Sequence, residues 1–324
     1  MDLFNLFLYL VIFAICLFIT LCAVLLLTSH KYADLTDSPC ERTYSDGTKL
    51  LPFPSLVKDD PSLTLSVVVP AYNEELRLPE MLDECLEYLT ERRDGDHKFS
   101  FEVIVVDDGS TDATCDVVAR YTQRYGADTV RCLKLSRNRG KGGAVRMGVL
   151  RARGSLILFA DADGATKFPD LAKLEASIAQ LCPGVVDLGA SVAVVCGSRA
   201  HLEKDSVAHR SLFRTLLMYG FHSLVWLFTV RDVRDTQCGF KLLTRRAARI
   251  IFQNLHIERW AFDVEMLVIA QKLGIPISEV AVRWTEIDGS KVTPVLSWLE
   301  MGIDLVLIWL RYRIGAWRIN PSLQ

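Results

Sequence analysis

The longest apolar stretch of the chain lies at its beginning. Residues 3–28 carry no charged side chain and are mostly aliphatic or aromatic. A helix of this length can cross the roughly 30 Å of hydrocarbon in a bilayer. A cleaved signal peptide would have a basic start and a shorter apolar core, whereas Asp2 precedes this one. Residues 1–30 are therefore predicted to be a single transmembrane anchor.

The next segment, 31–62, is polar and rich in Pro, Asp and Ser, and its lack of periodicity predicts a linker. Beyond it, short β-branched runs alternate with stretches that have helical spacing of apolar residues. This alternation predicts an α/β fold with a Rossmann-like sheet and flanking helices over residues 63–290. The predicted strands of the first half cover residues 63–70, 101–106, 130–135 and 156–160.

The second half of this domain has a less regular pattern. Its predicted elements are a strand at 193–197, an apolar helix at 206–228 and a helix at 262–272. The stretch 213–230 is apolar enough for a second span, but Arg214 and His222 interrupt it. The membrane surface or the protein core is its favoured place, and a second span remains the alternative.

The last segment, 291–324, is predicted to form an amphipathic helix on the membrane surface. Residues 295–313 mix Trp298, Trp309 and Tyr312 with aliphatic side chains and end in basic residues. Aromatic and basic residues of this kind are enriched where a helix lies at the bilayer surface. The chain is thus predicted to contact lipid at both ends.

Composition and charge narrow the class of protein. Half of the residues are hydrophobic and the mean hydropathy is +0.23, which favours membrane contact. A net charge of −2 excludes the basic surface that nucleic-acid binding requires. Lys31 and Arg42 follow the anchor, and this bias places the downstream domain in the cytosol. The nine cysteines form no CxxC pair and suit reduced thiols. Nothing in the sequence indicates a protein partner.

Three acidic motifs follow predicted strands. They read PAYNEE from Pro70, DDGSTD from Asp107 and DAD from Asp161. The motif that begins at Asp107 could be only a turn with a helix cap, formed by Ser110 or Thr111. Two carboxylates separated by one residue, Asp161 and Asp163, can hold Mg²⁺ or Mn²⁺, which prefer oxygen ligands and often share substrate phosphates. Because ligands bind outside the carboxyl ends of parallel strands, the motifs predict one site at that edge.

In this order the motifs resemble the GT-A fold of the inverting glycosyltransferase family 2. Four further segments are similar to the dolichyl-phosphate β-glucosyltransferases of that family, and the resemblance covers residues 65–317. These segments are NRGKGGA at 138–144, DGATKFPD at 163–170, DTQCGFK at 235–241 and ERWAFD at 258–263. The resemblance implies UDP-glucose as donor, dolichyl phosphate as acceptor, the endoplasmic reticulum membrane as location and N-glycan precursor assembly as the use of the product.

The same resemblance implies roles for individual residues. Asp161 and Asp163 would hold the metal ion, and with Asp263 they form the predicted catalytic set. The residues expected to bind the nucleotide sugar are Pro70, Tyr72, Glu74, Asp107, Asp108, Lys141 and Asp161.

The acceptor phosphate is expected to meet arginine, because a guanidinium group offers it two parallel hydrogen bonds. Candidates are Arg199, Arg210 and Arg214, although solvated surface arginines are an alternative interpretation. Gln237 and Lys241 flank a glycine and are expected to line the same cleft. The histidines have no metal-ligand spacing.

The role of Asp263 depends on the acceptor. A sugar hydroxyl needs a general base, whereas a phosphate monoester with a second pKa of about 6 is largely a dianion at neutral pH. Asp263 is therefore predicted to position or electrostatically order the site, with proton abstraction as the lesser possibility.

Three other functions compete with this one. A mannosyltransferase using GDP-mannose would share the strand-end motifs. A processive polysaccharide synthase is echoed by Glu258, Arg259 and Trp260, but one span cannot build a translocation pore. An inactive membrane scaffold would be expected to lack Asp107, Asp161 or Asp163, and all three are present.

Overall fold

The computed structural model describes most of the chain. The described residues are 3–185, 187–202, 220, 233–287 and 296–320. The predicted helix at 206–228, the stretch 213–230, and both Arg210 and Arg214 lie outside these residues apart from position 220. The predicted boundary at 290–291 also lies outside them.

The first helix, α1, spans Leu3–Thr28. Leu25 is its one buried residue, so almost all of its apolar surface is exposed. Among the described residues it is the one helix long and apolar enough to cross a membrane. An exposed apolar helix of 26 residues is stable in lipid, where its backbone groups are satisfied within the helix. This agrees with the predicted anchor.

Segment 31–62, which was predicted to be a linker, is a packed part of the structure between α1 and the sheet. It contains a 3₁₀ helix at Pro39–Arg42 and a hairpin of β1 (Thr43–Ser45) and β2 (Leu50–Pro52). Glu41 is fully buried. Its carboxylate accepts hydrogen bonds from the Ser136 backbone N–H at 2.9 Å and from the Arg139 guanidinium at 2.8 Å. The polar composition that predicted a linker therefore includes charges paired with distant residues.

A seven-stranded mixed sheet forms the centre of the molecule. Its order is β5-β4-β3-β6-β8-β7-β9, and β8 is antiparallel to both of its neighbours. The strands are β3 (Leu63–Ala71), β4 (Phe101–Asp107), β5 (Val130–Lys134), β6 (Gly154–Ala160), β7 (Val194–Ser198), β8 (Phe240–Thr244) and β9 (Ile277–Ala281). The first five lie within about two residues of their predicted positions, because apolar runs mark strands that are buried on both faces.

Helices cover both faces of this sheet, so it has two hydrophobic cores. Val67 and Val69 of β3 face one core and Val68 faces the other, as the two-residue period of a strand requires. Helices α2, α3 and α5 pack on the first face, and α4, α6 and α7 on the second. Their bounds are α2 (Leu78–Gly95), α3 (Thr114–Tyr125), α4 (Gly140–Val149), α5 (Leu171–Leu181), α6 (Arg245–Phe252) and α7 (Phe262–Lys272). The predicted α/β class is confirmed.

The last helix, α8, spans Leu296–Ile314 and has apolar residues on two sides. Met301, Leu305 and Ile308 are buried in the second core. A separate set of apolar side chains is exposed: Leu299, Ile303, Val306 and Trp309. The helix also contacts α1. The predicted surface helix is thus anchored in the protein by one side.

Candidate functional site

The carboxyl ends of β4, β3 and β6 lie side by side at one edge of the sheet. These strands are adjacent and parallel, and Ala71 pairs with Asp107 at the ends of β3 and β4. The chain segments that follow them therefore meet at this edge, as the three acidic motifs predicted. Pro70 lies within β3, opposite Val106.

Hydrogen bonds fix the loops after β3 and β4 to each other. The Asn73 N–H donates to Ser110 Oγ at 2.9 Å, and the Thr111 N–H donates to Asn73 Oδ1 at 2.8 Å. Asn73 has φ of +53°, a left-handed conformation that asparagine tolerates better than most residues. The neighbouring Tyr72 is 40% exposed. The two bonded loops thus form a rim on which Tyr72 is partly exposed.

Glu74 connects this rim to a basic residue that the sequence analysis missed. Its carboxylate accepts two hydrogen bonds from the Arg77 guanidinium, at 2.7 and 2.6 Å. Burial would lower the pKa of Arg77, but the charges of Glu74, Asp163 and Asp161 raise it. Arg77 therefore adds positive charge beside the acidic pair. The sequence did offer a hint of this ion pair, because Arg77 follows Glu74 by three residues just before a predicted helix.

The two aspartates that end β4 are buried. Asp107 accepts hydrogen bonds from the Ser110 N–H at 3.0 Å and the Cys115 thiol at 3.1 Å. Asp108 accepts from the backbone N–H groups of Arg139 at 2.6 Å and Gly140 at 2.9 Å, and burial raises its pKa to about 7. Both carboxylates thus support loops of the site. Direct contact of either with the nucleotide stays a prediction.

The central feature of the site is the pair Asp161 and Asp163 after β6. Lys141 Nζ lies 2.6 Å from Asp161 Oδ1, so the predicted basic and acidic residues do come together. The Asp161 N–H donates to the Gly239 carbonyl at 3.0 Å. Asp163 accepts from the Ala165 N–H at 3.1 Å. Burial and the neighbouring Asp161 charge raise the pKa of Asp163.

This pair fits a divalent cation that is shared with a substrate. The described residues contain no group of three His, Cys, Asp or Glu side chains placed to hold a metal ion. Mg²⁺, however, is usually bound by one or two carboxylates together with substrate phosphates and waters. The raised pKa of Asp163 means that its negative charge is incompletely compensated, which a cation would correct.

Asp263 and Lys241 form a buried ion pair next to Lys141. Asp263 Oδ1, at the start of α7, lies 2.5 Å from Lys241 Nζ on β8. Burial would lower the pKa of Lys241, but the Asp263 charge raises it and keeps the amine protonated. The same charge contributes to the raised pKa of Lys141. Lys241 was predicted to contact the acceptor phosphate, but it is fully buried and bonded to Asp263 instead.

Arg199 and Gln237 lie at the end of β7 and in the segment before β8. The Arg199 guanidinium makes two hydrogen bonds to Asp235, at 2.8 and 2.9 Å, and lies over the Trp284 ring. About a third of its side chain, 32%, is exposed. The Gln237 amide nitrogen is buried and has no hydrogen-bond partner among the described residues. Of these two predicted acceptor residues, Arg199 is therefore partly accessible to a ligand, whereas the amide nitrogen of Gln237 is not.

Gly239 is a second residue that the sequence analysis left without a role. A Cβ at this position would collide with the Asp161 carboxylate. Its place in the DTQCGFK segment, which carries the family resemblance, was the one feature of the sequence that pointed to a role. Only the tertiary structure shows which side chain it admits.

Comparison with known proteins shows the family of this chain. Residues 66–251 match the family described as Glycosyl transferase family 2. The dolichyl-phosphate beta-glucosyltransferase of Drosophila melanogaster is 59% identical over 303 residues, which cover 93% of this chain and 91% of that protein. The Homo sapiens protein of the same name is 61% identical over 264 residues, covering 82% and 80%. The Saccharomyces cerevisiae protein of that name is 44% identical over 270 residues, again covering 82% and 80%.

Solved structures support the fold. The glucosyl-3-phosphoglycerate synthase of Mycobacterium tuberculosis in complex with UDP aligns with a TM-score of 0.52 at 19% identity, covering 78% of this chain and 81% of that one. A complex of the same enzyme with Mn²⁺, UDP and phosphoglyceric acid aligns with a TM-score of 0.51 at 18% identity, covering 78% and 79%. The chain therefore belongs to glycosyl transferase family 2, and within it to the dolichyl-phosphate beta-glucosyltransferases.

Proposed function

We propose that this protein transfers glucose from UDP-glucose to dolichyl phosphate with inversion, in a reaction that depends on Mg²⁺ or Mn²⁺. The observation that carries the proposal is the position of Asp161, Asp163 and Lys141 at the sheet edge of a chain so similar to enzymes of that name. This edge is where α/β proteins bind nucleotides.

The donor diphosphate is proposed to lie between the acidic pair and the basic side chains around it. Asp161 and Asp163 would hold the cation, which supplies Lewis-acid stabilisation of the leaving diphosphate. Lys141 and Arg77 both interact electrostatically with these carboxylates. They would therefore be close enough to stabilise the charge that develops on UDP as the glycosidic bond breaks. Tyr72, exposed on the rim, is proposed to contact the uracil ring.

The attacking group is proposed to be the acceptor phosphate itself. Its second pKa of about 6 makes it a dianion at neutral pH, so it needs no base. Asp263 is 1% exposed and paired with Lys241, which supports a positioning role over proton abstraction. Arg199 is proposed to orient the phosphate. Its bond to Asp235 fixes the direction of its guanidinium.

The acceptor reaches this site from the membrane. We propose that α1 anchors the protein in the endoplasmic reticulum membrane with the catalytic domain in the cytosol, because Lys31 and Arg42 follow the apolar span. The exposed apolar side of α8, which contacts α1, would lie in the adjoining bilayer surface. The product would supply glucose for N-glycan precursor assembly.

The deciding experiment uses the full-length protein in liposomes with dolichyl phosphate and Mg²⁺. Either UDP-glucose or GDP-mannose is added, and sugar in the lipid phase is measured. We expect lipid-linked glucose to form from UDP-glucose and no lipid-linked mannose to form from GDP-mannose. We expect EDTA to stop this transfer and added Mg²⁺ to restore it. Transfer of mannose would show that the donor is GDP-mannose and not UDP-glucose. Transfer that continues in the presence of EDTA would contradict the metal requirement. Absence of transfer from both donors would refute the proposed reaction.

A further inference from the structure

Residues 283–285 join two parts of the site that follow different strands. They pair antiparallel with residues 165–167, which begin two positions after Asp163. The Thr285 N–H donates to the Ala165 carbonyl at 2.9 Å. The segment is thus fixed to the loop that is proposed to hold the cation.

A buried carboxylate holds the same segment from its other end. Asp170 is 1% exposed. It accepts hydrogen bonds from the Arg283 backbone N–H at 2.6 Å and from the Arg283 guanidinium at 2.9 Å. The Arg283 carbonyl in turn accepts from the Lys167 N–H at 3.1 Å. The backbone at Trp284 is therefore bonded to the loop through both of its neighbours.

The Trp284 side chain contacts Arg199, the residue proposed to orient the acceptor phosphate. Arg199 Cζ lies 5.4 Å from the centre of the Trp284 ring. A guanidinium group within about 6 Å of an aromatic face is attracted to it, and tryptophan attracts it most strongly. Trp284 is partly exposed and belongs to neither hydrophobic core, so core packing does not account for its position.

Asp235 holds Arg199 from another direction. The Arg199 backbone N–H and Nε each donate to this carboxylate at 2.8 Å, and Nη2 donates at 2.9 Å. Within the described part of the chain, Arg199 Nη1 makes no hydrogen bond, which leaves its donors for a phosphate oxygen. Burial would lower the pKa of Arg199, but its bonds to Asp235 raise it, and the Asp161 charge contributes. Arg199 is thus within electrostatic reach of the acidic pair.

Inversion requires the acceptor phosphate to attack from the side of the sugar opposite the leaving diphosphate. The two groups must therefore be held at a fixed separation. The cation loop follows β6 and Arg199 follows β7, with β8 between these strands, so the sheet does not join them directly. On the basis of the function proposed above, we propose that Trp284 is a positioning residue that fixes Arg199 relative to the Asp163 loop.

Kinetics of Trp284→Leu and Trp284→Phe test this role. The full-length protein is assayed in detergent micelles with dolichyl phosphate and UDP-glucose varied separately. We expect Trp284→Leu to raise the KM for dolichyl phosphate about tenfold, the effect of losing a cation–π contact, and Trp284→Phe to restore most of the affinity. The KM for UDP-glucose should stay unchanged. A raised KM for UDP-glucose, or a Leu variant that behaves like the wild type, would overturn the proposal.

Tyr125→Leu is the matched control. The Arg124 guanidinium lies 5.2 Å from the centre of the Tyr125 ring, so this change also removes an aromatic contact with arginine. Tyr125 ends α3, which leads back to the amino end of the parallel strand β5, at the edge of the sheet opposite the site. We expect neither KM to change. An equal loss of acceptor affinity in Tyr125→Leu and Trp284→Leu would overturn a specific role for Trp284.

A double-variant cycle tests whether Trp284 acts through Arg199. In an Arg199→Gln background, Trp284→Leu should not raise the KM for dolichyl phosphate further. Additive increases would show that Trp284 acts independently and would overturn the proposal.

Binding of dolichyl phosphate, measured by native mass spectrometry on the same variants, needs no turnover. If the wild type transfers no sugar, the proposed function fails. Weak retention of dolichyl phosphate by Trp284→Leu together with recovery in Trp284→Phe would still support the positioning role, and equal retention by these two variants and the wild type would overturn it.

Discussion

At the residue scale, the position of the Asp161 carboxylate is set by two neighbours of opposite kinds. Lys141 attracts it with a charge at 2.6 Å, and Gly239 leaves it room by having no side chain. Burial and the neighbouring Asp161 charge raise the pKa of Asp163, whereas the charges of Arg77 and Lys141 lower it. The negative charge of Asp161 therefore disfavours ionisation of Asp163, its neighbour in the same motif.

Gly239→Ala is expected to lower the rate of transfer by about a hundredfold, the usual effect of displacing a catalytic group by about 1 Å. The new methyl group would push Asp161 from its place. The control is Gly95→Ala, since a Cβ at Gly95 meets nothing within 4 Å. Rates and thermal unfolding of both variants would be compared. Near-normal transfer by a folded Gly239→Ala variant would show that the Asp161 position is not critical.

Metal-dependent binding of UDP-glucose is expected to weaken as pH falls through the raised pKa of Asp163. The ionised carboxylate binds the metal, so protons and Mg²⁺ compete. Higher Mg²⁺ concentration should therefore move the midpoint to lower pH. Calorimetric titrations without acceptor measure this, because UDP-glucose itself carries no group titrating near neutrality. Asp163→Ala should abolish the metal dependence of UDP-glucose binding. A pH midpoint that stays the same at all Mg²⁺ concentrations would show that Asp163 does not bind the metal ion.

At the element scale, the buried pair of Lys241 and Asp263 joins β8 to α7. These residues come from different elements and are both at most 1% exposed. A buried ion pair adds little net stability, but removing one partner leaves a charge without compensation. The pair therefore fixes how α7 lies against the sheet beside Lys141.

Lys241→Met is expected to destabilise the protein by about 3–5 kcal/mol, because Asp263 remains buried and unpaired. The double variant Lys241→Met with Asp263→Leu should recover most of that loss, since it removes both charges. Chemical unfolding of the two single variants and the double variant completes the cycle. Additive losses would mean that the two residues do not interact energetically.

The exposed apolar side of α8 is predicted to lie in the bilayer surface. Ile303 is 51% exposed in the structure and should be shielded in a bilayer. A thiol introduced by Ile303→Cys is expected to react slowly with a water-soluble maleimide in liposomes and faster in dilute detergent. Arg313→Cys, on the same helix and exposed, should react quickly in both. Peptide mass spectrometry resolves these sites from the native cysteines, and equal rates in liposomes would place α8 away from the lipid.

At the scale of the whole molecule, segment 31–62 connects the anchor to the site. Burial would raise the pKa of Glu41, but hydrogen bonds from Ser136 and Ser38 and the charge of Arg139 lower it. Arg139 directly precedes α4, whose Lys141 holds Asp161. The membrane segment and the acidic pair are therefore joined by one continuous set of contacts.

Glu41→Ala is expected to cost about 3–5 kcal/mol of stability, since the Arg139 guanidinium would stay buried without its partner. Transfer should fall as well, because the start of α4 would lose its support. Glu91→Ala, an exposed glutamate on α2, is the control. Thermal unfolding and transfer assays of both variants in liposomes check this. If the two variants have the same stability and the same transfer rate, segment 31–62 does not support the site.

The sequence by itself determined the anchor, most of the strands and the residues that end them. These features depend on local patterns, namely apolar runs buried on both faces and acidic motifs that directly follow them. The place of Lys141 beside the acidic pair was implied by family resemblance and not by a local pattern. Family resemblance supplied the donor and the acceptor, which no local pattern encodes.

Only the tertiary structure decided what each charge is paired with. Lys241 reads as a basic residue beside a glycine, yet it is buried against Asp263, 22 positions later. Glu41 reads as part of a polar linker, yet it is buried against Arg139, 98 positions later. Gly239 leaves room for the carboxylate of Asp161, which follows β6 and lies 78 positions earlier in the chain. Coulombic attraction and close packing act through space between residues distant in the chain, so side-chain partners follow from the fold.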